Sequence, residues 1–123
     1  MNTTVGAITL FSDDPQRAKE FYARAFAATP ILEDETSVLF RFDNTMINLV
    51  DARSAGAMIA PATVGTGSRL QLTIFVDSAD AAIELLRGRG VELLNGPIDR
   101  PWGQRTAAFA DPDGHIWEVA QNI

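Results

Sequence analysis

The stretch Asp111-Pro112-Asp113-Gly114-His115-Ile116-Trp117-Glu118-Val119 decides the fold of this chain. An Asp-Gly pair directly before alternating, β-prone residues is a strong hairpin signal, because a type I′ turn needs positive φ at both central positions. Side chains alternate along the strand that follows, so Glu118 faces the opposite side from His115 and Trp117. We therefore predict a hairpin that carries one carboxylate on a strand otherwise suited to burial.

The composition limits the classes of function. The 123 residues are 46% hydrophobic and 21% charged, which is typical of one folded domain. A net charge of −6 argues against nucleic-acid binding, and the absence of cysteine excludes disulfides and thiolate metal sites. No apolar run approaches the roughly 18 residues of a membrane span, and no signal segment is recognisable. We expect a cytoplasmic protein without nucleic-acid or membrane partners.

The first half predicts a strand, a helix and three further strands. Asp14 is expected to cap the helix and Pro15 to begin it, because the N–H that proline lacks would have no partner there. One apolar stripe at helical spacing consists of Ala18, Phe21, Tyr22 and Ala25. The strands are predicted at residues 5–11, 31–35, 37–42 and 45–50.

The second half repeats this pattern after a segment rich in Ala, Gly, Ser, Pro and Thr, which predicts a linker. Ser78 is expected to cap a helix over residues 79–89. The core is predicted to contain Phe11, Phe21, Tyr22, Phe75, Ala82, Leu85 and Leu86, and Trp117 is expected to pack under a helix. The strands are predicted at residues 69–76, 91–94, 104–110 and 115–120.

The repeat is visible in the residues themselves. The sequence ITLFSD at residues 8–13 aligns with LTIFVD at 72–77, and DNTMINL at 43–49 aligns with DGHIWEV at 113–119. We therefore predict an α+β fold of two βαβββ modules, whose concave sheets surround a shared cavity within a single domain, residues 1–123. The modules span about 4–51 and 69–121, with the linker at about 52–68. One continuous α+β domain with chance similarity is the alternative.

The chain resembles the vicinal oxygen chelate superfamily, the group of glyoxalases, bleomycin-resistance proteins and ring-cleaving dioxygenases. Three motifs carry the resemblance: Glu20-Phe21-Tyr22, Pro101-Trp102-Gly103, and the stretch from Asp111 to Glu118. The resemblance implies paired βαβββ modules. It also implies a divalent metal held by four inward His, Glu or Gln side chains, from the first and last strand of each module.

In this chain the resemblance transfers those four ligand places to Ala7, Asn48, Gln71 and Glu118. Alanine offers no ligand atom and the two amides are weak neutral donors, so we expect no transition metal. A loosely held divalent cation with several waters is compatible with this set, and no other cofactor is expected. The only histidine, His115, faces away from Glu118 and is interpreted as a polar residue flanking the turn.

The predicted ligand-binding residues are Thr9, Asn48, Gln71, Trp102, Arg105 and Glu118. Glu118 is either a general base or ligand anchor, or a relic carboxylate satisfied by an amide or an arginine. Trp102 lies between proline and glycine, where it either walls a pocket or packs on its own module. Arg105 either reaches an acidic ligand, neutralises Glu118, or has only a surface role.

The leading hypothesis is a metal-independent binder of a small organic molecule, like the drug-sequestering antibiotic-resistance members of the family. The second is a metal-independent isomerase or lyase with Glu118 as general base, so catalysis is left open. The third is a metal-dependent lyase or dioxygenase with an atypical ligand set, and the fourth is a structural or regulatory subunit. A homodimer is expected, because family members commonly pair modules within or between chains.

Overall fold

The computed structural model describes residues 1–123 and divides them into two compact units, residues 1–66 and 67–123. Each unit contains a strand, a helix and three further strands, and each has one four-stranded mixed sheet. The predicted α+β fold of two βαβββ repeats is therefore confirmed. No helix combines the length and the apolar character that crossing a membrane requires.

The sheet of the first unit has the strand order β1-β4-β3-β2. Its elements are β1 (Ala7–Ser12), α1 (Pro15–Phe26), β2 (Pro30–Glu33), β3 (Ser37–Arg41) and β4 (Met46–Asp51). β1 runs parallel to β4, and the other neighbours are antiparallel. This order places the first and last strands of the repeat side by side, so Thr9 lies directly opposite Asn48.

Helix α1 forms as its sequence predicts. The Asp14 carboxylate accepts a hydrogen bond from the Arg17 N–H at 3.2 Å, and Pro15 occupies the first turn. The whole predicted stripe is buried, and the Tyr22 ring lies 5.9 Å from that of Phe40 on β3. The helix therefore covers one face of the first sheet through an aromatic core.

The segment predicted as a linker contains short helical structure. A 3₁₀ turn spans Ala52–Ser54 and a single-turn helix α2 spans Gly56–Ile59. The Asp51 carboxylate starts this structure by accepting hydrogen bonds from the N–H and guanidinium of Arg53. The sequence did not indicate this helical structure, because the composition of the segment shows no periodicity and the turns depend on capping by Asp51.

The sheet of the second unit has the matching order β5-β8-β7-β6. Its elements are β5 (Gln71–Phe75), α3 (Ala79–Gly88), β6 (Leu93–Arg100), β7 (Gln104–Ala110) and β8 (Ile116–Asn122). Ser78 caps α3 as predicted, accepting a hydrogen bond from the Ala81 N–H at 3.1 Å. β6 is longer than the predicted 91–94 and contains Pro97, which an edge strand with an irregular register tolerates.

The decisive hairpin forms, but its turn differs from the predicted type I′. The loop between β7 and β8 holds five residues, 111–115, and among them only Gly114 has positive φ, 86°. The Gly114 N–H donates to the Asp111 carbonyl at 3.1 Å, across Pro112. Asp, Pro and Gly at the first, second and fourth positions favour a type I turn, which explains why the Asp-Gly pair is not central.

Two predicted core residues are exposed. Phe75 is 70% exposed and Leu85 is 53% exposed, whereas Ile83 is buried instead. Phe75 alternates with Leu72 and Ile74 along β5, so it points to the side of the sheet that α3 does not cover. Leu85 lies outside the face of α3 that Ala79, Ile83 and Leu86 bury.

Candidate functional site

Two polar contacts identify the side of the second sheet that helix α3 covers. The Arg105 Nε donates to the Asp80 carboxylate on α3 at 3.0 Å, and the Ala79 N–H donates to the Gln121 side chain at 2.8 Å. Arg105 and Gln121 are paired across β7 and β8, so their alternating neighbours point to the other side. We call that other side the Glu118 face, formed by Gln71, Thr73, Gln104, Thr106, Glu118 and Asn122.

Glu118 lies in the middle of this face. It is half-buried, with Thr73 beside it on β5 and Ala108 beside it on β7. The Thr73 hydroxyl donates to Oε1 of Glu118 at 3.1 Å. The Oε2 atom accepts no hydrogen bond from the protein. The interaction that orients the carboxylate thus comes from a threonine, not from the amide or arginine that one of the two alternatives named, and it leaves one oxygen available.

The first unit has a neutral counterpart at the same register. Thr9 lies beside Asn48, as Thr73 lies beside Glu118, and both Thr9 and Asn48 are half-buried. Asn48 alternates with Ile47 and Leu49, which are buried with the α1 core, so it points away from that helix. The predicted site residues Thr9 and Asn48 therefore share one face of the first sheet and bring no charge to it.

The four inherited ligand places do not fit a transition metal. Gln71 lies beside Ile116, two residues along β8 from Glu118, and Ala7 lies beside Met46, two residues along β4 from Asn48. Gln71 and Thr73 share the Glu118 face, but Glu118 is the only anionic donor and Ala7 has none. A metal ion loses hydration energy that neutral amides cannot offset as a carboxylate or imidazole does.

The only histidine serves the β7–β8 turn. Oδ1 of the buried Asp111 accepts the N–H groups of Asp113 and His115, and Oδ2 lies 2.7 Å from Nδ1 of His115. The hydrogen bond to Asp111 raises the pKa of His115 above its ordinary value. Ligand atoms of Asp111, Asp113 and His115 lie within 4.8 Å of one another, but the backbone of the turn already uses the Asp111 carboxylate. These contacts confirm the turn-flanking interpretation and add an ion pair that the sequence did not predict.

Trp102 stands at the end of the Glu118 face. Its side chain is 64% exposed, and its indole N–H donates to Gln104 at 3.1 Å. Gln104 in turn donates to Asn122 at 3.1 Å, so the indole is attached to the face that carries Glu118. The turn that presents it is closed by a bond from the Gly103 N–H to the Arg100 carbonyl at 3.0 Å.

The charged residue that the sequence indicated on β7 lies on the wrong side to meet Glu118. Arg105 pairs with Asp80 and Asp99 on the helix-covered side, so the idea that it neutralises Glu118 was wrong. The residue that does reach the Glu118 face is Arg100, which the sequence analysis missed. Its Nε donates to the Thr106 hydroxyl at 3.0 Å, and its guanidinium carbon lies 5.7 Å from the Trp102 ring centroid.

A signal for Arg100 was present in the sequence. Arg100-Pro101-Trp102-Gly103 has the same X-Pro-X-Gly form as Asp111-Pro112-Asp113-Gly114, and Gly103 also has positive φ, 87°. Recognising this turn would have paired Arg100 with Gln104 across the hairpin, as the structure does. Alternation along β7 would then have assigned the two residues to the Glu118 face.

Comparisons with known proteins agree with this architecture. The profile of the Glyoxalase/Bleomycin resistance protein/Dioxygenase superfamily matches residues 4–119. A glyoxalase-related enzyme from Fulvimarina pelagi is similar, with a TM-score of 0.86 and 24% identity over 98% of this chain and 89% of that one. A glyoxalase/bleomycin resistance protein/dioxygenase from Nocardioides has a TM-score of 0.84 and 24% identity, covering 100% of this chain and 85% of the other.

A third similar structure is TnmS3, described as an antibiotic binding protein, from Streptomyces sp. CB03234. Its TM-score is 0.74 at 26% identity, over 99% of this chain and 98% of that one. The profile match spans nearly the whole chain, and the two sheets have matching strand orders. The chain therefore belongs to the glyoxalase/bleomycin resistance protein/dioxygenase superfamily.

Proposed function

We propose that this protein binds a small organic molecule on the Glu118 face, without a metal. The observation that carries the proposal is the hydrogen bond from Thr73 to one oxygen of Glu118, which holds the carboxylate and leaves its second oxygen for a ligand. The 26% identity to TnmS3, an antibiotic binding protein, supports an antibiotic or a similar organic molecule as the ligand.

The binding energy comes from two parts of the face. The second oxygen of Glu118 accepts an N–H or O–H of the ligand, and a charge-assisted hydrogen bond of this kind contributes about 1.5–3 kcal/mol. The exposed indole of Trp102 gives the ligand an aromatic surface. Thr9, Asn48 and Gln71 stay predicted ligand-binding residues.

Catalysis by Glu118 is the second candidate function. The same uncommitted oxygen that accepts a ligand hydrogen bond can remove a proton beside a carbonyl group, as an isomerase or lyase requires. The two functions differ in one outcome, because a binder releases its ligand unchanged. A metal-dependent lyase or dioxygenase is disfavoured by the donor set, in which one carboxylate stands with two amides and an alanine.

Mass spectrometry of small molecules released from the purified protein tests the proposal. We expect a bound organic molecule from the wild type and at least about tenfold less from Glu118→Gln, which keeps the shape but loses the charge. Glu92→Gln, an equal charge change at an exposed residue, is the control and should match the wild type. Equal recovery from Glu118→Gln contradicts the proposal. Conversion of the recovered molecule on re-incubation, lost in Glu118→Gln, replaces binding with catalysis.

We also propose that the protein is a homodimer. Each sheet ends in two edge strands that pair on one side only, β1 and β2 in the first and β5 and β6 in the second. Leu32 on β2 and Phe75 on β5 are each 70% exposed, which is a liability on an edge strand that association removes. Sedimentation should give a dimer at micromolar concentration, and a monomer would contradict this.

A further inference from the structure

Arg100 is a cation held in place on the face that carries Glu118. The Thr106 hydroxyl binds its Nε at 3.0 Å, and its guanidinium lies 5.7 Å from the Trp102 ring centroid. Arg53 and Arg105 each pair with carboxylates, but Arg100 makes no ion pair. The terminal nitrogens of a guanidinium are strong donors, so a half-buried arginine without an anion is suited to receive one.

The register relates the residue that binds this cation to Glu118. Thr106, which binds Arg100, is the second residue along β7 from Ala108, and Ala108 lies directly opposite Glu118. Such a diagonal pair on one face of a sheet is roughly 7–8 Å apart. The face therefore presents a donor and an acceptor at two separate places, with an indole beside the donor.

We propose that the Glu118 face selects planar aromatic molecules with an anionic group at one end and an N–H or O–H donor at the other. Arg100 binds the anionic group, Trp102 stacks on the rings, and Glu118 accepts the donor. This inference rests on the proposed function, because it names the ligand class of the same face. A guanidinium binds a carboxylate or sulfonate through two parallel hydrogen bonds, so it contributes selectivity as well as affinity.

A matched pair of fluorescent probes tests the inference. In 2,6-anilinonaphthalene sulfonate the amine and the sulfonate stand at opposite ends of the naphthalene, and N-phenyl-2-naphthylamine is the same molecule without the sulfonate. Both are titrated into the wild-type protein, Arg100→Gln, Trp102→Ala and Arg87→Gln. Arg87 is an exposed residue of α3, on the other side of the sheet, so Arg87→Gln controls for net charge.

We expect the wild type and Arg87→Gln to bind the sulfonate more tightly than the neutral probe. Arg100→Gln should weaken sulfonate binding by about tenfold or more and leave neutral-probe binding within about twofold, because only the ionic contact is lost. Trp102→Ala should weaken binding of both probes. Sulfonate affinity unchanged in Arg100→Gln, or no preference for the sulfonate in the wild type, overturns the inference and leaves the proposed function standing. Failure of both probes to bind the wild type overturns the two together.

Discussion

The β2–β3 turn of the first unit and the β6–β7 turn of the second occupy equivalent places in the repeat, but their side chains differ in use. The carboxylate of Asp34 accepts the N–H groups of Thr36 and Ser37 at 2.8 and 2.9 Å. These bonds, with that from Thr36 the largest influence, lower the pKa of Asp34. The polar group of the first turn is thus committed to its own backbone.

The β6–β7 turn is closed by a hydrogen bond between main-chain atoms, so it does not use the side chains of Arg100 and Trp102. Proline and glycine at positions 101 and 103 shape the backbone, so Trp102 and Arg100 extend over the Glu118 face. The strand centres show the same contrast, since the acid of the second unit is an amide, Asn48, in the first. A repeated backbone therefore carries two different sets of side chains, and the charged groups of the proposed site lie in the second unit.

The largest expected effect on stability comes from Trp117, whose equivalent core position in the first unit is Ile47. Both are buried, but the indole is much the larger side chain. Trp117→Ala should lower the free energy of unfolding by about 3–5 kcal/mol, against about 0.5–1.5 kcal/mol for Ile47→Val. Urea denaturation followed by circular dichroism measures both. A loss below about 1 kcal/mol in Trp117→Ala would show that the second core does not depend on this residue.

The next largest effect on stability is expected in the irregular strand β6. A Cβ on Gly96, where φ is +101°, would lie 2.6 Å from the backbone of Thr106 and Ala107. Gly96→Ala should therefore cost about 2 kcal/mol or more, from backbone strain and overlap together. Gly88→Ala is the control, because nothing lies within 4 Å of its added Cβ, and it should stabilise α3 by about 0.5 kcal/mol. Equal stability of the two variants would contradict the tight β6–β7 contact.

The turn before β8 contains a histidine–aspartate contact that the equivalent turn before β4 lacks, and this contact has a smaller effect on stability. The bond to Asp111 raises the pKa of His115 above its unfolded value, so its stabilisation is present below about pH 6.5 and is lost as the pH rises through the folded pKa. We expect a loss of about 0.5–1 kcal/mol, since His115 is only half-buried. His115→Gln should flatten this part of the stability–pH curve. An unchanged curve would show that the contact between His115 and Asp111 does not contribute to stability.

The sequence predicted most of what depends on neighbours along the chain. The caps Asp14 and Ser78 and the buried stripe of α1 follow from local hydrogen bonding and helical spacing. Phe75 was misassigned because alternation defines the two faces of a strand but not which of them a helix covers.

The candidate site was predictable only in part. Glu118 stood out as a single acid in an apolar strand, and Trp102 as an aromatic residue between turn formers. The contact of Thr73 with Glu118 depends on the parallel register of β5 and β8, and the choice of Arg100 over Arg105 depends on the hairpin register of β6 and β7. Such registers come from pairing between distant residues, which local patterns do not specify.

The central claim is that Glu118 binds an organic ligand without a metal. The test is isothermal titration calorimetry. The molecule recovered from the wild type is titrated into the wild-type protein and into Glu118→Gln, with and without excess EDTA. We predict the same wild-type affinity with and without EDTA, and an affinity about tenfold to a hundredfold weaker in Glu118→Gln. Loss of wild-type binding in EDTA, with near one zinc, iron, nickel or manganese per chain before chelation, would contradict it.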